Sequence, residues 1–335
     1  MIDKKFSDDT PLNGMQVWGT HNSCHIAPDE PVLRLLKVFS KEAGTLDYNH
    51  LPLSEQLDKY DIRQVELDIY ADSEGGLFSK RLGHLLCRKK FNTGIAELEE
   101  PGFKVLHIPH IDYNTTVHKF KDALRELQDW SNNSPGHLPI MILLDIKGAL
   151  PLDTLSRPLR GLIKGVLFLL RLLRIDIRLP QEIRRKELMD LEEEVLEVFD
   201  KDALITPDEV RGSFDSLETA VLEKGWPAIK DCRNRFLFCI DNDNEIPGIY
   251  LEDNPSLEGR LFFTNSLPGT EASAFCRIND PRGDNKEKIN NYVKKGYLMR
   301  TRADEDLVKD EARRLDAIES RANFLSTDFP EDIKR

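Results

Sequence analysis

Polar side chains with catalytic chemistry accompany four strand-like runs in the first half of the chain. These runs are MQVWGT, QVELDIY, VLHIP and IMILLDIK, and their polar groups are His21, Asn22, Glu66, Asp68, His107 and Asp145. The set comprises two imidazoles, three carboxylates and one amide. A metal-assisted site that cleaves phosphodiesters requires groups of this kind.

The spacing within these runs predicts a shared cation. Glu66 and Asp68 are two residues apart in a predicted strand, so their side chains point to the same face. A divalent ion with oxygen ligands would hold both carboxylates ionised side by side. Asn22 and Asp145 would add two further oxygens. Because Cys24 is the only cysteine near these clusters, the donor set favours Ca²⁺, with Mg²⁺ second, over zinc.

Each cluster taken singly has a plainer interpretation. A His-Asn pair or a Glu-x-Asp motif is common in turns and on surfaces. Four such clusters at the carboxyl ends of predicted strands are much less expected by chance. We therefore predict that they form one site.

Strand-like and amphipathic segments alternate along the chain. Amphipathic stretches such as 117–130 and 188–199 separate apolar runs that end in polar residues, which predicts βα units and a parallel sheet. About eight strands in 335 residues fit a single-domain α/β (β/α)8 barrel over residues 1–335, with an insertion at about 151–189. A doubly wound sheet is the alternative, but no GxGxxG opens a helix.

Composition narrows the function classes. The net charge of −12 argues against a nucleic-acid partner. Five cysteines without a CxxC pair suggest neither a disulfide framework nor a zinc site. The first residues contain no apolar segment typical of a signal peptide, and no apolar run reaches about 18 residues. The expected location is cytoplasmic or peripheral to a membrane, or secreted if a leader was removed.

One segment is basic in an otherwise acidic chain. Between residues 156 and 178, spacings of three, four and seven place one stripe of basic residues on an otherwise apolar helix: Arg157, Arg160, Lys164, Arg171, Arg174 and Arg178. This pattern is typical of a helix at a membrane interface. A barrel helix with solvated arginines explains it equally well. Peripheral membrane contact through 156–178 is therefore one of two expectations.

Longer blocks carry a family resemblance. GTHNSCH, RQVELDIYAD, KVLHIPHIDY, SPGHLPIMILLDIKG, LITPDEVRG, RFLFCIDN, GYLMRTRADED and ANFLSTD occur in this order between Val17 and Asp328. Together they closely resemble the calcium-dependent phosphatidylinositol-specific phospholipase C family of bacteria and fungi. The region from Pro151 to Met189 has no counterpart in the resemblance and is interpreted as an insertion.

The resemblance implies a TIM-like barrel that uses one calcium ion and two histidines to cleave phosphatidylinositol or a similar phospholipid. The products would be diacylglycerol and a cyclic headgroup phosphate, which water then opens. On matching positions, the catalytic residues would be His21 and His107, the calcium ligands Asn22, Glu66, Asp68 and Asp145, and the phosphate contacts Lys147 and Arg302. The remaining histidines, including His25, are expected to have packing or surface roles.

Two other functions compete with this one. A glycerophosphodiester phosphodiesterase shares the barrel, an early His, a Glu-x-Asp pair and a later His, but acts on a deacylated diester. A non-catalytic lipid-binding barrel would dock through the basic helix. Two imidazoles beside a metal site argue against a pure binding role, while the headgroup stays open at this point.

Overall fold

A parallel barrel of eight strands forms the frame of the molecule. The computed structural model describes residues 6–148, 157–172 and 178–333. The barrel strands are β1 (Val17–Thr20), β2 (Gln64–Tyr70), β4 (Ile140–Lys147), β5 (Phe236–Ile240), β6 (Phe262–Thr264), β7 (Phe275–Arg277), β8 (Leu298–Arg302) and β9 (Phe324–Thr327). Neighbours pair in parallel in the order β6-β5-β4-β2-β1-β9-β8-β7, and a bridge between Asn265 and Phe275 joins β6 to β7. The predicted (β/α)8 barrel is therefore confirmed.

Helices connect these strands. They are α1 (Glu30–Phe39), α2 (Leu53–Tyr60), α3 (Leu82–Leu86), α4 (Ala96–Glu99), α5 (Phe120–Asn133), α6 (Arg157–Leu172), α7 (Arg185–Leu196), α8 (Pro207–Arg211), α9 (Leu217–Glu223), α10 (Ile229–Cys232), α11 (Ile246–Leu251), α12 (Asp284–Lys295) and α13 (Glu311–Glu319). The apolar side of α5 is buried, with Phe120, Leu124 and Leu127 fully enclosed. The 3-4-3 spacing of Phe120, Ala123, Leu127 and Trp130 is the reason that the predicted stretch at 117–130 forms a helix.

Three sequence-based strand assignments differ from the structure. The run KVLHIP forms only the two-residue strand β3 (Lys104–Val105), which pairs antiparallel with β2 outside the barrel. The apolar run ALIT at 203–206, which its composition also predicts as a strand, is not one and contributes a single bridge, from Leu204 to Phe236. The barrel strand β7 was not predicted, because three residues are too few to show a period.

Strands β1 and β2 pack closely just before the polar residues His21 and Asn22. Gly19 of β1 lies opposite Gln64 of β2. A Cβ atom at Gly19 would lie 2.1 Å from the Gln64 Oε1 atom, so no other residue fits there without displacing that side chain. Gly19 therefore allows β1 and β2 to approach closely just before His21.

The basic segment forms a helix outside the barrel wall. The side chain of Ile163 in α6 packs beside Val32 and Leu36 of α1. Gly148 and Ile183 lie side by side, so the excursion leaves and returns at the C-terminal end of β4. The side chains of Arg171 and Arg174, and residues 156 and 173–177, lie outside the described part of the chain. Within that part, no helix is long and apolar enough to cross a bilayer.

Candidate active site at the C-terminal end of the barrel

Strand register places carboxylates side by side at one end of the barrel. Asp68 of β2 lies directly opposite Asp145 of β4. On the next strand, Ile240 lies opposite Leu144, so Asp241 follows β5 at the level of Asp145. Paired residues in a parallel sheet point to the same side. Three carboxylates on adjacent strands thus lie at the same height.

Glu66 precedes Asp68 by two residues on the same face of β2 and is held by a buried cation. The Arg300 guanidinium donates from Nη2 to Glu66 Oε2 over 2.5 Å, and from Nε to Ser326 Oγ over 2.9 Å. Arg300 is among the largest fully buried side chains of the protein. A charge-assisted hydrogen bond in such a setting fixes the carboxylate. The other oxygen of Glu66, Oε1, lies 3.6 Å from His21 Nε2.

Lys147 forms ion pairs with carboxylates of two strands. Its Nζ atom lies 2.8 Å from Asp68 Oδ2 and 3.2 Å from Asp145 Oδ2. Burial would lower the pKa of Lys147, but Asp145 and Asp68 raise it well above the ordinary value. Burial raises the pKa of Asp68 despite Lys147, whereas Lys147 outweighs burial and lowers the pKa of Asp145. Lys147 is therefore a firmly charged partner of both groups.

His21 follows β1 and is oriented by the end of β9. Its Nδ1 atom lies 2.8 Å from Asp328 Oδ1, so it donates to that carboxylate. Arg302 donates from Nη2 to the other oxygen of Asp328 over 3.1 Å. Burial would raise the pKa of Asp328, but His21 and Arg302 lower it to about 2. The Nε2 atom of His21 is left facing Glu66.

His107 has a similar carboxylate partner but a different frame. It lies in a loop just after β3, not at the end of a barrel strand as predicted. Its Nδ1 atom lies 2.5 Å from Asp112 Oδ2, and its Nε2 atom lies 3.9 Å from Asp68 Oδ2. Asp112 also contacts His25 Nε2 at 3.0 Å. Burial would raise the pKa of Asp112, but hydrogen bonds from His107 and His25 lower it.

Two buried polar atoms near the predicted ligands have no hydrogen-bond partner among the residues that the structure describes. They are Asn22 Nδ2 and Asp241 Oδ1. Asn22 has a positive φ of 44°, a conformation in which asparagine is tolerated better than most residues. The two ends of its carboxamide are equivalent in shape, so either can be turned toward a ligand. Burial raises the pKa of Asp241 to about 8. These orphaned groups, with the carboxylates beside them, fit a hard cation with oxygen ligands.

A tighter group of possible ligands lies beside this set. Among the described residues, His25, His107 and Asp112 bring one donor atom each within 4.8 Å of the others. The contacts of Asp112 with both imidazoles have hydrogen-bond lengths. We interpret this group as a hydrogen-bonded network, because two imidazoles and one carboxylate do not suit calcium.

The structure brings the predicted site residues together and adds others. Every predicted residue except Asn22 contacts another member of the set or lies in register with one. Asn22 is next to Ser23, which hydrogen-bonds the backbone N–H and C=O of Glu66. Lys147 and Arg302, predicted as phosphate contacts, lie against carboxylates. The residues that sequence reasoning missed are His25, Asp112, Asp241, Arg300 and Asp328.

Two of the missed carboxylates had a usable signal. Asp241 directly follows β5 and Asp328 directly follows β9, much as Asp145 lies two residues before the end of β4. Extending the rule of polar residues at strand ends to these runs would have found both. By contrast, His25 and Asp112 are 87 residues apart in loops, and no spacing rule joins them.

The family model described as calcium-dependent phosphoinositide phospholipase C matches residues 10–335. A search of curated proteins found no match.

Solved structures share the fold at low sequence identity. A calcium-dependent phosphoinositol-specific phospholipase C from a Pseudomonas species, in its apo form, is 17% identical, with a TM-score of 0.59 over 100% of this chain and 95% of that chain. A calcium-dependent enzyme from Streptomyces antibioticus is 16% identical, with a TM-score of 0.57 over 97% and 98%. Their likeness supports the barrel described above.

Proposed function

Because the chain belongs to the family of calcium-dependent phosphoinositide phospholipases C, we propose that it cleaves phosphatidylinositol between diacylglycerol and the phosphorylated headgroup. The chain is a phosphodiesterase of the phospholipase C type that depends on calcium and acts on a phospholipid. The choice of inositol as headgroup, the roles of individual residues and the membrane contact are the proposed part.

One observation carries the assignment of residues. Both histidines direct Nδ1 to a buried aspartate and Nε2 to a carboxylate of β2: His21 toward Glu66 at 3.6 Å and His107 toward Asp68 at 3.9 Å. Two imidazoles therefore flank one group of carboxylates, each with its reactive nitrogen facing inward. A phosphodiester bound between them would have one imidazole on each side.

The proposed calcium ligands are Asn22, Glu66, Asp68 and Asp145. Their oxygens suit this ion, and the Asn22 Nδ2 atom, which is buried without a partner among the described residues, marks a carboxamide that is free to turn its oxygen toward the ion. Bound calcium would lower the pKa of the attacking hydroxyl and offset charge on the phosphoryl oxygens.

The histidines and a carboxylate would divide the proton transfers. The inositol 2-hydroxyl attacks phosphorus, and Glu66 or Asp68 accepts its proton. The bond from phosphorus to the diacylglycerol oxygen breaks, and His107 gives its Nε2 proton to that oxygen. His21 stabilises the crowded phosphoryl group through Nε2, with Asp328 holding the ring. A cyclic phosphate results, which water opens with the roles reversed.

Lys147 and Arg302 have a proposed secondary role as phosphate contacts. The Lys147 ammonium lies on the same carboxylates that we assign to calcium. An ammonium and a metal ion cannot both use the same oxygen lone pairs, so ion binding would free Lys147 for the substrate. Arg302 keeps one face toward Asp328 and is only partly exposed, at 12% of its side chain.

Product analysis by phosphorus NMR tests the proposed reaction. Phosphatidylinositol and glycerophosphoinositol are incubated separately with the enzyme, each with calcium or with chelator. We expect a cyclic or monoester inositol phosphate from the intact lipid in the calcium samples only. Cleavage of the soluble diester alone would instead identify a glycerophosphodiester phosphodiesterase. Cleavage of neither would contradict inositol as the headgroup and favour the lipid-binding alternative.

Contact with an anionic membrane through 156–178 is a second part of the proposal. In α6, Phe168, Leu169 and Leu172 are 66%, 54% and 64% exposed. Exposed basic residues, Arg157 and Lys164, lie on the same helix. The chain leaves toward α6 from the C-terminal end of β4, which is the end that carries the candidate site, and α6 packs on α1. Apolar and basic groups together suit an anionic lipid surface, and imply a peripheral location.

Vesicle co-sedimentation tests this contact. The triple variant Phe168→Ser, Leu169→Ser, Leu172→Ser should lose most binding to vesicles that contain phosphatidylinositol, since each buried apolar side chain is worth about 1–2 kcal/mol. Leu315→Ser in α13, where the leucine is 54% exposed, is the matched control. Unchanged binding by the folded triple variant would favour the interpretation of α6 as a solvated barrel helix.

A further inference from the structure

A buried carboxylate joins two imidazoles beside the candidate active site. The side chains of Asp112 and His25 are fully buried, whereas that of His107 is 24% exposed. Both carboxylate oxygens of Asp112 lie 3.0 Å from His25 Nε2. The Oδ2 atom also lies 2.5 Å from His107 Nδ1. The proposed mechanism uses His107 alone, so the buried histidine has no role in it.

Both ring nitrogens of His25 face hydrogen-bond acceptors. Its Nδ1 atom lies 3.1 Å from the carbonyl oxygen of Tyr48, which can only accept. Its Nε2 atom faces the Asp112 carboxylate, whose lowered pKa keeps it ionised. The ring therefore donates from both nitrogens and forms a charged pair with Asp112. Since Oδ2 also accepts from His107, the carboxylate is shared between two donors.

Packing holds this network in one arrangement. The His25 ring stacks on the Tyr48 ring with centroids 4.2 Å apart and an interplanar angle of 22°. The His107 ring meets His25 edge-on, with centroids 5.8 Å apart. The backbone N–H of His50 donates to the His25 carbonyl over 2.9 Å. The Nε2 atom of His50 donates to the His21 carbonyl over 3.0 Å. The segment 48–50 thus holds the loop that carries His21 and His25.

His107 needs such support because no barrel strand carries it. Strand β3 ends at Val105, and the loop that follows turns through His110, whose φ is positive at 74°. The side chain contacts that orient the ring are those of Asp112, while Tyr70 donates to the His107 carbonyl over 3.0 Å. Asp112 is in turn fixed by His25. The orientation of His107 therefore depends on a residue that does not reach the site.

We propose that His25 is a positioning residue for His107: it donates to Asp112, fixes that carboxylate, and so keeps the Nδ1 proton of His107 on Asp112 and its Nε2 atom toward the substrate. The inference deepens the proposed function and rests on His107 as the acid. It identifies a chain of contacts from the Tyr48 carbonyl to the leaving oxygen.

The dependence of kcat on the leaving group distinguishes a positioning role of His25 from a purely structural one. Two soluble inositol phosphodiesters are compared, one with an aliphatic leaving alcohol, which needs a proton, and one with nitrophenol, which does not. In His25→Phe, kcat for the aliphatic ester should fall by about 10²-fold and kcat for the nitrophenyl ester by less than about 5-fold. KM should stay within about 2-fold for both. His25→Gln keeps one donor to Asp112 and should recover part of the loss.

His137→Gln is the matched control. This histidine is 7% exposed and hydrogen-bonds Ser131 away from the site, so its loss tests the effect of altering a buried imidazole. It should lower both kcat values equally, if at all. Equal losses on both esters in His25→Phe would overturn the proposal.

A second readout does not require turnover. In the calcium-free protein at alkaline pH, nitrogen-15 NMR should show His25 protonated on both nitrogens and neutral His107 as the Nδ1–H tautomer, to which the acid form adds the Nε2 proton that it donates. His25→Phe should leave neutral His107 as a mixture of tautomers. An unchanged His107 signal, or stoichiometric zinc bound by the parent when zinc alone is added and lost in His25→Gln, would overturn the network. If the parent cleaves neither ester, the proposed function fails, and this readout still decides the role of His25.

Discussion

The two halves of the barrel mouth balance their charges differently. On the side of β8 and β9, each buried carboxylate has an arginine to itself: Arg300 binds Glu66 and Arg302 binds Asp328, with the half-exposed Glu305 a longer second contact of Arg302 at 3.9 Å. On the side of β4 and β5, each cation lies against two carboxylates. Lys147 is shared by Asp68 and Asp145, and Arg277 is shared by Asp241 and Asp243.

This difference indicates where a cation is missing. One-to-one pairs are rigid supports that need no further partner, whereas a shared ammonium leaves negative charge uncompensated. The half with excess carboxylates is the half to which we assign calcium. Glu66 connects the two halves, because Arg300 takes one of its oxygens and the other faces the site.

The largest expected effect comes from the histidine of each half. His21→Gln and His107→Gln should each reduce kcat by about 10³-fold, since one loses charge stabilisation and the other the acid. His84→Gln, in α3, is the control and should retain nearly full activity. Steady-state assays on phosphatidylinositol measure the change. Activity of either site variant within a few-fold of the parent would remove that histidine from the mechanism.

Asp241 should make the ion-free protein less stable as pH rises. An aspartate of the unfolded chain ionises near pH 4, whereas burial holds the proton of Asp241 until about pH 8. The unfolded state therefore binds fewer protons between these values, and stability falls through the window from about pH 4 to 8.

The variant Asp241→Asn removes this term. With chelator present, it should gain about 3 kcal/mol over the parent between pH 5 and 8 in urea unfolding. Asp243→Asn is the control, because it shares Arg277 but its side chain is 81% exposed. A constant difference across the range would contradict the buried, protonated state of Asp241.

Asp328 in the other half should have the opposite pH dependence. Its pKa of about 2 is below that of the unfolded chain, so its pairs with His21 and Arg302 stabilise the fold above about pH 4 and are lost as pH falls toward 2. Asp328→Asn should lower the free energy of unfolding by about 2 kcal/mol at pH 6, with a shrinking difference below pH 4. Asp332→Asn serves for comparison, because Asp332 lies in the same segment but is half-exposed and pairs with the exposed Lys309. The same sign of pH dependence in both halves would refute the contrast.

Lys147→Met should separate ion binding from turnover. Loss of the ammonium leaves Asp68 and Asp145 free of a competing cation, so calcium affinity should rise by about 10-fold while kcat falls. Isothermal titration calorimetry and activity assays measure the two effects. Lys121→Met on α5, whose lysine pairs with the exposed Glu197, should change neither. A weaker calcium affinity in Lys147→Met would show that the ion does not use these carboxylates.

The sequence was sufficient for the barrel and for Glu66, Asp68 and Asp145 near its strand ends, although Asp241 and Asp328 after two other strands were missed. Alternation within QVELDIY puts Glu66 and Asp68 on one face, and the register confirms that Asp68 meets Asp145. The supports were not predictable in the same way. Arg300 reaches Glu66 across 234 positions of sequence, and His25 reaches Asp112 across 87. Such contacts depend on barrel closure and on loop paths, which period and spacing do not encode.

Anomalous scattering from crystals loaded with calcium tests the central assignment most directly. The account predicts one strong peak within ligand distance of Asn22, Glu66, Asp68 and Asp145, with the Lys147 ammonium displaced from its present contacts with Asp68 and Asp145. A peak among His25, His107 and Asp112, or no peak at the strand ends at saturating calcium, would contradict it.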